Sequence, residues 1–154
     1  MAQICNHARI KEYNNVIRLF STKVFTNLKT STEVDLIGPP DPISNLRPII
    51  FAIPKNESKL ERKYRKARED TQNWNHNFWT KHNTSFVEER KQFQENLKNI
   101  GKTSITADDM SVFYKDFLDK NWHNHFNYNI LWYKKNVKLL FLEMGVRLSK
   151  FKFR

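Results

Sequence analysis

The residues whose types and spacing could do chemistry are His123-x-His125, His76 with His82, and the acid pairs Glu88-Glu89 and Asp108-Asp109. Histidine clusters bind metal ions or haem, and paired carboxylates serve acid–base work. Residues two apart on a helix point about 200° apart, so His123 and His125 do not converge on one ion. His76 and His82, six apart, fit no better. The acid pairs stand where first helical turns are expected, and the helix dipole favours acids there. Cys5 is the only cysteine, which excludes a disulfide framework and a thiolate metal site. The chain holds no G-x-S-x-G, no Cys–His pair placed for catalysis and no glycine-rich phosphate loop. The expectation is a chain with no catalytic residues, no metal site and no cofactor. Axial haem ligation by one histidine stays open as the alternative.

The elements that carry these residues read as helices. Ser58-x-x-Glu61 fits a capping box. After it Leu60, Tyr64, Ala67, Thr71, Trp74 and Phe78 recur at 4-3-4-3-4 spacing, a seam for packing on another helix. The spacing predicts an end near 81–83. Ser85-x-x-Glu88 opens a second helix, with Phe86, Phe93, Leu97 and Ile100 on its apolar side and Gly101 as its stop. Thr106-x-x-Asp109 opens a third, with Met110, Phe113, Tyr114, Phe117 and Leu118 as its stripe. A break is expected within 121–129, then a fourth helix over about 128–150. There Tyr133, Val137, Leu140, Phe141, Met144, Leu148 and Phe151 form one stripe, and Leu139, Leu142 and Val146 lie off it. A helix apolar on more than one side is buried or rests on something.

The 154 residues suit one domain, and 39% apolar residues suit one modest core. The net charge of +11 attracts anionic partners without choosing among them. The longest run without a formal charge, Asn121 to Tyr133, is too short and too rich in asparagine to span a bilayer. Met1 to Thr32 carries five basic residues against Glu12 alone, and six Ser and Thr. Ile10, Tyr13, Val16, Ile17, Phe20, Val24 and Leu28 share one helical arc of about 120°. This is the composition of a mitochondrial transit peptide, cleaved somewhere in 25–35. The remaining chain would carry +7 and no cysteine.

All five prolines, Pro39, Pro40, Pro42, Pro48 and Pro54, fall between Ile37 and Pro54. Proline fixes φ, lacks an N–H and pushes the residue before it into extended conformation. An extended ribbon is therefore expected over 33–57. Ile49, Ile50, Phe51 and Ile53 are too apolar to hang in water and must cover something, while Asp41, Asn45 and Arg47 face outward. A pre-extended ribbon loses little entropy on binding, which favours recognition.

"RKYRKAR" at 62–68 has five basic residues in seven, yet Glu69 and Asp70 lie within i,i+4 reach of Arg65 and Lys66. With no groove-reading or base-stacking motif, a solvated helix face explains the run and no nucleic acid is expected. A basic helical body with an apolar last helix also suits an anionic membrane surface.

"IGPPDPISNLRPIIFAIPKNES", "LERKYRKAREDTQNWNHNFW", "FYKDFL" and "WYKKN" together resemble the mitochondrial apoptogenic protein family, also called cytochrome c oxidase assembly factor 8. The likeness runs from about residue 36 to 140. It implies a non-catalytic factor that supports assembly and stability of cytochrome c oxidase in the mitochondrial matrix, peripherally associated with the inner membrane. It also implies links to oxidative-stress protection and to apoptosis. Its partners would be oxidase subunits or assembly intermediates. The signature falls on Ile37, Gly38, Pro39, Pro40 and Asp41, on Ser44, Asn45, Leu46, Arg47 and Pro48, and on Trp74, Asn75, Phe78 and Trp79. These are the expected partner-binding residues. The alternative function is haem or metal handling for the same oxidase.

The expected fold is all-α: a small bundle of about four helices over 58–154, an extended Pro-rich arm over 33–57 and a transit peptide over 1–32.

Overall fold

The structure, a computed structural model, describes residues 34–151. The expected transit peptide lies outside them. The described residues form two compact units, one of 34–37 with 49–57 and one of 38–48 with 58–151.

In the first unit β1 (Leu36–Ile37) pairs antiparallel with β2 (Ile49–Ile50), Leu36 opposite Ile50 and Ile37 opposite Ile49. The Asp35 carboxylate accepts the N–H of Ala52 at 2.8 Å. Phe51 is buried, and Ile49, Ile50 and Ile53 are half-buried. β-Branched isoleucines suit the pleat, and no proline occupies a ladder position. The expected ribbon thus includes a short sheet, so the fold is mostly helical rather than all-α.

The second unit is an antiparallel helical hairpin. Two long helices, α1 (Lys59–Asn99) and α2 (Ala107–Phe151), replace the four expected. The first cap is as the sequence predicts. Ser58 Oγ accepts the N–H of Glu61 at 3.2 Å, and the Glu61 carboxylate accepts the N–H of Ser58 at 2.8 Å. The second capping box goes unused. Ser85 sits inside α1, where its hydroxyl donates to Glu89 at 2.7 Å. A capping pair starts a helix only where the preceding backbone leaves helical geometry, and nothing in "KHNT" (81–84) forces that. The break expected in 121–129 is absent for a similar reason. Asn121 Nδ2 donates to the carbonyl of Phe117 at 3.0 Å, and Asn136 Nδ2 to that of Trp132 at 2.8 Å. These asparagines bond along the helix instead of ending it.

The turn between the helices is where the sequence puts it. Gly101 takes φ +87°, which costs glycine no steric clash. Its N–H donates to Lys98 O at 3.0 Å and that of Lys102 to Leu97 O at 3.2 Å. Thr106 and Asp109 then cap α2 reciprocally, and Lys102 pairs with Asp109.

The seam residues of α1 face α2. Thr71 is buried, and Leu60, Tyr64, Ala67, Trp74 and Phe78 are half-buried. From α2 come Phe113, Phe117 and Val146, all buried. Phe86 and Phe93 close on Phe113 at ring distances of 5.7 and 5.5 Å. At the other end Lys150 of α2 binds Glu61 of α1 at 2.8 Å. No described helix is long and apolar enough to cross a membrane.

Candidate partner-binding site

Loop 38–48 is built from donors that its prolines do not have to supply. Gly38 N–H donates to Pro48 O at 2.8 Å, closing the neck. Inside it Asp41 organises the chain. Its carboxylate accepts the N–H of Ser44 at 2.7 Å and of Ile43 at 3.0 Å. Its own N–H donates to Leu46 O, and its carbonyl accepts from Asn45. Asn45 takes φ +58°, a left-handed conformation that asparagine tolerates well. Pro39, Pro40 and Pro42 fall where no N–H is called on. Over 38–48 the expected extended ribbon is therefore a closed loop. The Asp41 carboxylate and the Asn45 turn fold the chain back within a few residues.

The loop is fixed to α1. Ser44, buried, places its hydroxyl 3.1 Å from His76 Nδ1, and Asn83 Nδ2 donates to Ile43 O at 2.8 Å. Burial acts against the Asp41 charge, but the N–H and hydroxyl of Ser44, the N–H of Ile43 and the nearby His76 outweigh it. They hold its carboxyl below the ordinary carboxylate range. Pro39, Pro40, Asn45 and Arg47 are exposed, and Arg47 Nη1 reaches Gly38 O at 3.4 Å. Gly38, Asp41, Leu46 and Pro48 are half-buried; Ile37, in β1, is exposed. Asp41 thus serves the loop's interior, whereas Asn45 and Arg47 face outward as expected.

Trp74, Asn75, Phe78 and Trp79 converge on one residue of α2. Tyr128 stacks on Phe78 at 4.2 Å and on Trp74 at 5.1 Å. Its hydroxyl accepts from Trp79 Nε1 at 3.0 Å and donates to Asn75 Oδ1 at 2.7 Å. Lys135 Nζ lies 5.2 Å from the centre of the Trp74 ring, within cation–π range. These four residues set the register of the two helices. Their role in the fold is contact within the hairpin, while the exposed part of loop 38–48 is what a partner can reach.

Sequence reasoning weighed His76 only as a metal ligand and did not single out Asn83 or Tyr128, yet these three residues hold the site together. His76 and Asn83 are seven apart and so share one helix face, which is a trace of the loop's seat. Tyr128 fell within the expected break.

Next along the seam, His82 and His125 meet edge to face with ring centres 4.5 Å apart. Burial lowers the His82 pKa, and the neighbouring His125 lowers it further. His125 Nε2 and Thr80 Oγ1 are buried without a hydrogen-bond partner. His123 is exposed on another side of α2, as the 200° argument requires. Among the described residues no three potential ligands gather into a metal-sized cluster. An open groove of about 360 Å³ runs between the helices, lined by Lys59, Arg62, Lys63, Lys66, Asp70 and Lys138 with two apolar residues.

A two-helix hairpin bearing a pinned, proline-rich loop defines a small, mostly helical protein. Residues 34–152 match the family model described as Cytochrome c oxidase assembly factor 8, and the chain belongs to that family. A mitochondrial COA8 family protein of Drosophila melanogaster is 46% identical over 120 residues, covering 78% of this chain and 68% of the relative. The human cytochrome c oxidase assembly factor 8 is 44% identical over 126 residues, covering 75% and 61%. A mitochondrial COA8 family protein of Caenorhabditis briggsae is 36% identical over 128 residues, covering 82% and 90%. This chain thus spans about three-fifths of the human relative's length. No solved structure matches it.

Proposed function

We propose that this protein is a non-catalytic factor supporting the assembly and stability of cytochrome c oxidase. It works in the mitochondrial matrix, peripherally on the inner membrane, by contact with oxidase subunits or assembly intermediates. The observation that carries this reading is the family match over 34–152, which includes both the loop and its seat on α1. The relatives' names supply the oxidase and the organelle. The basic N-terminal segment suits import. Links to oxidative-stress protection and to apoptosis come with the resemblance alone.

The test is complementation of cells lacking the protein. Arg47→Glu combined with Pro39→Ala and Pro40→Ala alters the exposed loop surface, removes only the long Arg47 Nη1 bond to Gly38 O, and leaves the hydrogen bonds of Asp41 and Ser44 in place. Oxidase holoenzyme on native gels should fall while the variant accumulates normally. Full restoration of the holoenzyme by this variant would reject the loop as the contact surface. A second reading, haem or metal handling for the same oxidase, draws on the unpartnered His125 Nε2 beside His82. It predicts stoichiometric haem or Cu(I) binding that His125→Ala abolishes.

A further inference from the structure

We propose that two copies of this chain pair through the outer face of α2, so that two hairpins form a four-helix bundle. The side of α2 that meets α1 presents Phe113, Phe117, Tyr128, Leu139 and Val146. The opposite side carries a second seam: Phe126, Ile130, Tyr133, Val137, Leu140 and Met144 follow at 4-3-4-3-4 spacing. All six are exposed, Tyr133 at 68% and Leu140 at 55%. Trp122, Phe141, Leu148 and Phe151 widen and lengthen it, Phe151 at 78% exposure. From Trp122 to Phe151 the stripe runs about 44 Å at 1.5 Å per residue.

A single hairpin leaves this chain short of core. Among the described residues only Phe51, Phe113, Phe117 and Val146 are buried hydrophobics, and no side chain is fully buried. Helical folds stabilise by burying apolar faces between layers, and among the described residues no layer covers this face. The spacing is that of a helix-on-helix seam. The area also fits. Half or more of ten large side chains amounts to on the order of 1,000 Å², against roughly 800 Å² per partner in a standard interface. Charge does not oppose pairing at the seam. Despite the overall +11, no seam position from Phe126 to Met144 is charged, and Arg147 at its edge is bound to Glu143 at 3.0 Å. Val137 lies at the middle of the stripe, next to its own copy whether the paired helices run parallel or antiparallel.

The test is sedimentation equilibrium of the full chain across micromolar concentrations. A dimer is expected, with its dissociation constant raised at least 100-fold by Val137→Glu with Leu140→Glu and with helicity unchanged. Both side chains are exposed in the single hairpin, so the substitutions spare its internal packing. In a Cys5→Ser background, Val137→Cys should form an intermolecular disulfide on mild oxidation. A monomer throughout would overturn the proposal, whatever covers the stripe. So would a dimer indifferent to both glutamates, or a monomer that binds cardiolipin-containing vesicles through the stripe.

Discussion

Ser44 and His76 stand 32 positions apart in the chain and 3.1 Å apart in space, joined through Oγ and Nδ1. This bond, with Asn83 seven residues further along α1, seats a loop in which four of the internal hydrogen bonds begin or end at Asp41. Ser44→Ala should remove the tie and the acceptor for the Leu46 N–H without touching the helices. The local cost should be about 1 kcal/mol, as for an ordinary hydrogen bond. The amides of Asn45 and Ser44 should exchange roughly fivefold faster, with circular dichroism unchanged. Exchange that accelerates across α1 as well would show the bond holding the hairpin rather than the loop.

Tyr128 joins two side chains of α1 through one hydroxyl. Tyr128→Phe keeps the stacked ring but strands Trp79 Nε1 and Asn75 Oδ1 in a half-buried seam. Leaving such groups unpaired costs about 1–3 kcal/mol. The denaturant midpoint should fall with an unchanged slope. Combining Tyr128→Phe with Asn75→Ala should cost less than the two single changes added together, because they break the same network. Strict additivity would mean that the hydroxyl and the amide do not act together.

Much of this hairpin is legible in residue spacing. The 4-3-4-3-4 seam from Leu60 to Phe78 faces α2, and the Ser58–Glu61 and Thr106–Asp109 caps form as read. Gly101 turns the chain where expected. The stripe from Tyr133 to Phe151 was also visible, including the separation of Leu139, Leu142 and Val146 onto another face. What failed was punctuation. Ser85–Glu88 has the composition of a cap but lies within continuing helix, and Asn121, in the expected break, bonds to the carbonyl of Phe117 one turn back. Composition records a residue's options; the backbone around it selects one. The loop failed differently. Five prolines predict extension, yet one carboxylate and one left-handed asparagine reverse the chain. The histidine and asparagine that receive the loop share a helix face, but nothing in the sequence ties that face to the loop, because a contact across 32 or 40 residues leaves no period.

Glu61 links the start of α1 to the end of α2. Lys150 does most to lower its pKa, followed by the N–H of Ser58, and together they bring it from 4.5 to about 2. Above about pH 4.5 the carboxylate is charged in folded and unfolded chains alike, and its contribution to stability is complete. As pH falls from about 4.5 toward about 2, the unfolded chain takes up the proton first and that contribution is lost. Glu61→Gln should therefore flatten the acid limb of the stability profile, as read from thermal midpoints between pH 2 and 5. Lys150→Met should flatten it in part, because Ser58 still donates. A profile unchanged by either substitution would remove the Glu61–Lys150 pair from the forces closing the hairpin.

Gly145 sits within α2 and faces Leu60 of α1. A Cβ placed there would lie 3.5 Å from Leu60 Cδ2, an ordinary van der Waals distance. Glycine inside a helix costs about 1 kcal/mol relative to alanine, chiefly in backbone entropy. Gly145→Ala should recover most of that, because the added methyl fills space without displacing Leu60. Gly145→Leu should do the opposite. A branched side chain does not fit against Leu60 without moving it, and overpacking of this kind costs about 1–3 kcal/mol. Chemical denaturation of both variants at one fixed protein concentration checks the pair, since self-association makes the midpoint depend on concentration. Stabilisation by alanine with destabilisation by leucine fits a helix crossing set by one missing methyl group. Destabilisation by alanine would mean that the helices meet more tightly at this point than 3.5 Å allows.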